Sequence, residues 1–239
     1  MRRGVWQHPQ QRPSQLNYGL RAQPWWSTET YGFVGKLLRH FDVLRDEGLM
    51  LLRQAAFDNY LSPALVAGNW TDVTLRLSGS VQPGARRAPR TARLLEALGG
   101  EIDTMVSGAA YFSVLSPGAR LRPHCGPTNI RLRVHVGLSV PDGNVGMRVG
   151  DEVRTWREGG ALVFDDSFEH EVWNEGGEPR LVFILDAWHP DLRTEQQRHD
   201  ALEPSGQRRY AELLRRRAAG LGPPEEGDLV GERRARTVF

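Results

Sequence analysis

The sequence predicts a mainly β fold with flanking helices, either a sandwich, a barrel or a jelly roll. Three observations point there. From about residue 68 the chain falls into short apolar runs: "NWTDVTLRLSG", "AAYFSVL", "RLRVHVGLSV", "VGMRVGDEVRTW", "GGALVFDD", "EHEVWNE" and "RLVFILDAW". Turn-forming stretches separate many of them, "SPGA", "PDGN", "REGG" and "EGGEP". The clearest helical periods lie ahead of this region and behind it.

The elements follow in order. Residues 1–30 are rich in Pro, Gln and Arg and read as an irregular arm, with "PWW" at Pro24–Trp26 docking on the body. Residues 31–193 read as one domain that opens with a helical part. Within residues 31–57, Leu37, Leu38, Phe41, Leu44, Leu49, Leu51 and Leu52 make an apolar stripe. Gly48 is expected to interrupt it, giving two helices or a bent one. "PGARRAPRTARLLEALGG" reads as a loop and a short helix closed by Gly99 and Gly100. Residues 194–239 form a charged tail. In it "QRRYAELLRRRAAGLG" has the spacing of a solvated amphipathic helix, and "PPEEGDLVGERRARTVF" reads as a mobile end.

Bulk properties exclude several classes. The 239 residues are 39% hydrophobic, enough for one sizeable core. The net charge is +2, so the pI near 9.0 reflects mixed charge and carries no nucleic-acid footprint. Lys36 is the only lysine, so nearly all positive charge is arginine, which stays ionised and grips carboxylates with two parallel N–H donors. Cys125 is the only cysteine, which excludes an intrachain disulfide and a cysteine zinc cluster and fits a reducing compartment. Beside His124 it reads as a packing residue. No segment approaches the roughly 20 apolar residues of a membrane span, and no apolar run follows the first arginines. A cytoplasmic protein is expected, with neither nucleic acid nor membrane as partner.

The chemistry concentrates in "RPHCGPTNIRLRVHVGL", Arg122–Leu138. Side chains alternate along a strand, so Arg131, Arg133 and His135 share one face and Leu132, Val134 and Val136 the other. Facing inward, the basic face lines an anion pocket; facing outward, it is a solvated surface. His124 precedes this strand, and His170 follows the acidic turn in "FDDSFEHEVWN". Two histidines at strand ends beside turns are placed to meet at one barrel mouth. Imidazole suits iron, copper, nickel or zinc. Arg180, ten residues on, is placed to hold the far carboxylate of a dicarboxylate.

From Leu16 to Leu192 the sequence resembles the catalytic domain of the aspartyl/asparaginyl β-hydroxylase family. The segments that carry the resemblance are "GLRAQPWW", "LRDEGL", "PHCGPTNIRLRVHVGL", "TWREGGALVFDDSFEHEVWNE" and "RLVFILDAWHPDL". It implies a double-stranded β-helix, a cupin-like jelly roll, that uses Fe(II), 2-oxoglutarate and O₂. Carried over residue by residue, it makes His124 and His170 the iron ligands. It places Arg180, with Ser113 beside it, on the distal carboxylate of 2-oxoglutarate. Arg133 and His135 fall near the carboxylate that chelates iron, Trp70 in the pocket wall, and Arg131 and Arg133 near the substrate. The implied reaction hydroxylates the β-carbon of an aspartyl or asparaginyl side chain, releasing succinate and CO₂. The expected substrate is a peptide, a carrier-bound or a free amino acid, a natural-product precursor peptide among them.

Departures from the family and its wider superfamily add information. Most related oxygenases carry a carboxylate two residues after the first histidine; here Gly126 stands there. Asp166, four residues before His170, either orients a ligand or water at the metal or caps its turn. Where the family has Gln two residues after the tryptophan and Lys before the serine, this chain has Asp72 and Tyr111. A basic group is lost and an acidic one gained among the substrate-binding positions, which alters the charge a substrate must present. Two other classes stay in view. A non-catalytic cupin-like sensor would hold metal or 2-oxoglutarate without turnover. A zinc hydrolase would need a third protein ligand that this spacing lacks.

Overall fold

The computed structural model describes residues 8–99, 102 and 105–226. Its elements run β1 (Trp25–Trp26), α1 (Gly32–Arg39), α2 (Phe41–Arg53), β2 (Asp58–Asn59), β3 (Leu65–Ala67), β4 (Trp70–Leu77), β5 (Ser80–Val81), α3 (Gly84–Arg87) and α4 (Pro89–Leu98). Then follow β6 (Ala109–Leu115), β7 (Ala119–His124), β8 (Arg131–Ser139), β9 (Val145–Val149), β10 (Glu152–Arg154), β11 (Ala161–Phe164), β12 (His170–Asn174) and β13 (Arg180–Trp188). Two helices close the chain, Glu195–Asp200 and Pro204–Ala218.

The strands form two antiparallel sheets. The larger has the order β1-β11-β8-β13-β6-β4-β2, with β5 on β4; the smaller has the order β10-β9-β12-β7-β3. Facing each other, they make a double-stranded β-helix, the cupin-like jelly roll. Register decides which side chains enter it. Directly paired residues share a face. Arg133 is opposite Asp186 and Phe164, His135 opposite Ile184 and Leu162, and Tyr111 opposite Ile184 and Thr74. These point between the sheets, so the basic face of β8 is the inner one. Leu132, Val134 and Val136 turn outward and are fully buried against the helical layer of α1, α2 and α4.

The helices differ from the sequence-based expectation in one respect. The break falls at His40, between α1 and α2, and Gly48 lies inside α2. A Cβ on Gly48 would come 3.1 Å from Leu181 and 3.2 Å from Phe112, so this glycine serves close approach of helix and sheet. Leu37, Leu44 and Leu51 are fully buried, while Leu38, Phe41, Leu49 and Leu52 are half-buried beside them. The stretch expected as a loop before α4 already contains α3.

Both ends of the described chain pack on the barrel. Trp25 and Trp26 pair with Phe164 and Val163. Gln11 is fully buried and donates to Asp165 and Ser167, while the Gln15 amide donates to the Pro127 carbonyl. The arm is therefore a strap across the turns that carry His124 and His170. The C-terminal helix buries Tyr210 and Leu213 in a cluster with Trp188, and the following segment pairs Glu225 with Val81. Among the described residues no helix is long and apolar enough to cross a membrane.

Candidate active site

Two histidines meet on the smaller sheet. His124 ends β7, His170 begins β12, and they are cross-strand partners with ring centroids 4.1 Å apart. Strict alternation from the buried Leu121 would turn His124 away. The register slips by one residue between the His124–His170 and Leu121–Val172 pairs, a β-bulge at Arg122–Pro123. That extra residue brings His124 onto the face of His170. Each Nδ1 is hydrogen-bonded to a backbone carbonyl, His124 to Arg122 at 2.8 Å and His170 to Phe168 at 2.9 Å. With Nδ1–H donating there, each Nε2 keeps its lone pair for a ligand. Burial lowers both pKa values, and for His170 burial and His124 together bring it down to about 3. Both rings are neutral near pH 7, the form that binds a metal.

Behind them lies a sealed charge box. Arg131 reaches Asp166 at 2.7 Å and Asp186 at 3.3 Å, and also donates to the Ser107 carbonyl. Arg133 donates to both oxygens of Asp186 at 2.8 and 3.0 Å and stands 3.3 Å from Asp166. The backbone N–H of Ala109 completes the Asp186 set at 3.0 Å. Two guanidinium and two carboxylate charges cancel, which is how four buried ions are tolerated. Burial pushes the Asp166 carboxyl up, but Arg131 and Arg133 outweigh it and hold the group well below the usual carboxylate range. Arg131 is 2% exposed, and its donors face these partners, not the cavity. Asp166 also fills the space beside Gly126: a Cβ there would lie 2.5 Å from its Cγ. A side chain two residues after His124 is excluded by this carboxylate.

The opposite wall is unsatisfied. A small cavity is lined by Trp70, Tyr111, Ser113, His124, Arg133, His135, His170 and Arg180. Among the described residues, three of its buried polar atoms find no hydrogen-bond partner: Tyr111 Oη, His135 Nε2 and Arg180 Nε. Arg180 is 2% exposed and lies over the Trp156 ring at 4.8 Å, and among the described residues no carboxylate pairs with it. Burial lowers its pKa to about 9. Trp156 Nε1–H donates to His135 Nδ1 at 3.3 Å, which puts the His135 proton on Nε2, facing the cavity. Burial, with Arg133 and Arg180 nearby, lowers the His135 pKa well below its ordinary value, so this ring is a neutral donor. Ser113 accepts from Trp70 Nε1 at 2.9 Å, which leaves its own hydroxyl proton to donate. Asp72 lies outside this cavity, in an adjoining cleft, while Tyr111 lines both.

Donors without acceptors call for an anion. Arg180, His135 Nε2–H and Ser113 fit a dicarboxylate such as 2-oxoglutarate, beside two imidazole lone pairs that fit a divalent metal. Among the described residues no third His, Cys, Asp or Glu joins the histidines in a metal-sized cluster.

Several functional residues lay outside the sequence-based list. Asp186 is the counter-ion of Arg133. Its signal was an aspartate inside the apolar run "RLVFILDAW", where burial demands a partner. Trp156 sets the His135 tautomer, and Gln11 ties down the Asp165 turn. Nothing in the sequence pattern marks either.

The fold and the site define a jelly-roll protein with a two-histidine mouth and an anion pocket. The model of the aspartyl/asparaginyl beta-hydroxylase family matches residues 39–190. The chain belongs to that family. It is 42% identical over 186 residues to the aspartyl/asparaginyl beta-hydroxylase of Mus musculus, across 75% of this chain and 25% of that protein. It is 43% identical over 184 residues to the mouse aspartate beta-hydroxylase domain-containing protein 2, across 72% of this chain and 53% of that one. The chain thus spans between a quarter and about half of these relatives. Among solved structures, a Pseudomonas putida prolyl-4-hydroxylase aligns with 62% of this chain and 86% of its own, at 15% identity and TM-score 0.41.

Proposed function

We propose that this chain is an Fe(II)- and 2-oxoglutarate-dependent hydroxylase acting on an aspartyl or asparaginyl side chain, in a peptide, a carrier-bound or a free amino acid. The observation that supports it is the set of buried donors without partners, Arg180, His135 and Tyr111, gathered around His124 and His170. A sealed barrel has no use for a lone buried guanidinium; a barrel that receives a dianion does.

When bound, iron and 2-oxoglutarate supply the oxidising power from O₂ that replaces C–H by C–OH, with succinate and CO₂ released. His124 and His170 hold the metal through Nε2, their rings fixed by the Arg122 and Phe168 carbonyls. Arg180 and the Ser113 hydroxyl hold the distal carboxylate. The His135 Nε2–H and the cavity-facing edge of Arg133 orient the proximal one. Arg131 and Asp166 act through position: they lock Arg133 and block a third side-chain ligand at Gly126. Trp70 and Tyr111 wall the cavity from the cleft and limit water.

The test uses purified protein with Fe(II), 2-oxoglutarate, ascorbate and air, and aspartyl and asparaginyl peptides beside the free amino acids. One-oxygen gain of a substrate with matching succinate, both lost in His124→Ala and Arg180→Ala, is the expected result. Binding of metal and 2-oxoglutarate with no succinate from any substrate would overturn it in favour of a sensor.

A further inference from the structure

One strand leads from an outer cleft toward the two histidines. Side chains on one face of a strand fall two residues apart, so Ala109, Tyr111 and Ser113 follow one another on the inner face of β6. Ala109 lines a cleft of about 1090 Å³, its open mouth included. Ser113 lines the cavity that holds His124 and His170, about 450 Å³ measured the same way. Tyr111 lines both. A guest that approaches the histidines from the cleft therefore passes Tyr111. Neighbouring rings hold it in place: Tyr111 lies parallel to Tyr60 at 6.3 Å, and Tyr60 stacks on Trp70 at 3.9 Å and 25°.

The hydroxyl at this threshold is left over by the fold. Tyr111 is 2% exposed, yet among the described residues its Oη finds no hydrogen-bond partner. Buried hydroxyls are nearly always paired, because an unpaired one costs stability. Burial raises its pKa to about 12, so near pH 7 it is a neutral O–H. Such a group donates equally to a carbonyl or a carboxylate oxygen. The donors assigned to the distal carboxylate stand further in. Arg180 is opposite Leu115, and Ser113 lies two residues before Leu115, whereas Tyr111 is one step nearer the cleft. Its depth also decides what meets it. A main chain resting in the cleft stays outside, while a side chain that enters the cavity comes to Tyr111.

We propose that Tyr111 is a specificity-determining residue for the reacting side chain, its hydroxyl donating to the Cγ oxygen that aspartyl and asparaginyl groups share. This deepens the hydroxylase reading and rests on it for the identity of the reacting carbon. The substrate class is then defined by one oxygen. Asp and Asn both carry it on the carbon next to the one hydroxylated, and both are accepted. Leucine branches at Cγ in the same way without an oxygen, leaves the hydroxyl unpaired and is rejected. With Cγ held at the threshold, the neighbouring Cβ keeps one position relative to the two histidines.

The experiment is calorimetric binding under nitrogen, with Fe(II) and 2-oxoglutarate present. The probes are end-blocked hexapeptides that carry Asp, Asn or Leu at one position, beside the same three free amino acids. The variant is Tyr111→Phe, which removes the hydroxyl and keeps the ring. The ratio of Asn to Leu affinity, and of Asp to Leu, is expected to fall about tenfold in the variant, the worth of one hydrogen bond. The affinity for 2-oxoglutarate should stay within about twofold of the wild type. The melting temperature of the ligand-free variant should hold or rise, since an unpaired buried hydroxyl has been removed. A hydroxyl that serves the fold would instead lower it. Ratios unchanged in Tyr111→Phe, a loss that falls on 2-oxoglutarate, a lowered melting temperature, or a wild type that binds no Asp or Asn probe each overturn the proposal. Succinate and oxidised probe measured in air keep the two readings apart. Equal hydroxylation by wild type and Tyr111→Phe sinks the Tyr111 proposal alone. Discrimination lost in Tyr111→Phe, with no succinate formed by the wild type, sinks the hydroxylase reading alone.

Discussion

Two buried arginine sites lie within one barrel, and they are built in opposite ways. Arg131 and Arg133 are enclosed by Asp166 and Asp186, each with short ion pairs. Arg180 has an aromatic ring and an empty side. The difference teaches how to read a buried charge. One supplied with its counter-ion is framework. One without it is a receptor, because the missing charge must come from a guest.

The largest effect should come from breaking the framework. Asp186→Ala strands Arg133 and is expected to destabilise the fold by about 3–5 kcal/mol, measured by urea unfolding. The double variant Arg133→Met, Asp186→Leu should recover most of that loss; if it does not, the box contributes more than charge balance. Next comes the receptor. Arg180→Met should change the stability of the ligand-free protein by under about 1 kcal/mol, yet weaken 2-oxoglutarate by about 2–5 kcal/mol, read as a lost thermal shift. Equal destabilisation by Asp186→Ala and Arg180→Met would erase the distinction.

His189 offers a third kind of buried polar group, one satisfied by its surroundings. It is fully buried, with Nε2 3.2 Å from the Arg21 carbonyl and Nδ1 accepting from the Asp191 amide at 3.2 Å. Burial lowers its pKa from an ordinary 6.5 to about 4. A histidine with a lowered folded value binds its proton only after unfolding. Its contribution is therefore full above about pH 6.5 and is lost as pH falls toward 4, with a loss of about 3 kcal/mol. His189→Gln should flatten this part of the stability–pH curve. The smallest effect concerns the tautomer of His135. Trp156→Phe removes the donor to Nδ1 and should raise the KM for 2-oxoglutarate several-fold, about 1 kcal/mol, with kcat little changed.

Much of the site was legible because the strand that carries it is regular. Alternation put Arg131, Arg133 and His135 on one face, and their register with β13 and β11 turns that face inward. What alternation cannot show is who stands opposite. Arg131, expected near a substrate carboxylate, meets Asp166 and Asp186 because β13 and the turn before β12 fold against it. The strand β7 was hidden for a different reason: exposed Arg120, Arg122 and Pro123 blur its pattern, and the bulge shifts the period before His124. The helix break at His40 was missed because glycine was read as a stop, whereas Gly48 is a packing contact. Family likeness named His124 and His170, but the carbonyls that aim them lie two residues before each, where no motif speaks.

The strap across the histidine turns also sets an order of events. Gln11 and Asp165 are 154 positions apart along the chain, and the Gln15 amide bonds to Pro127. As the polypeptide leaves the ribosome, the strap waits unpaired through most of synthesis, since the turn it grips is among the last parts of the barrel to be made. Such distant contacts form late in folding. A barrel assembled in that order has its histidine mouth as an open rim before the strap fastens it.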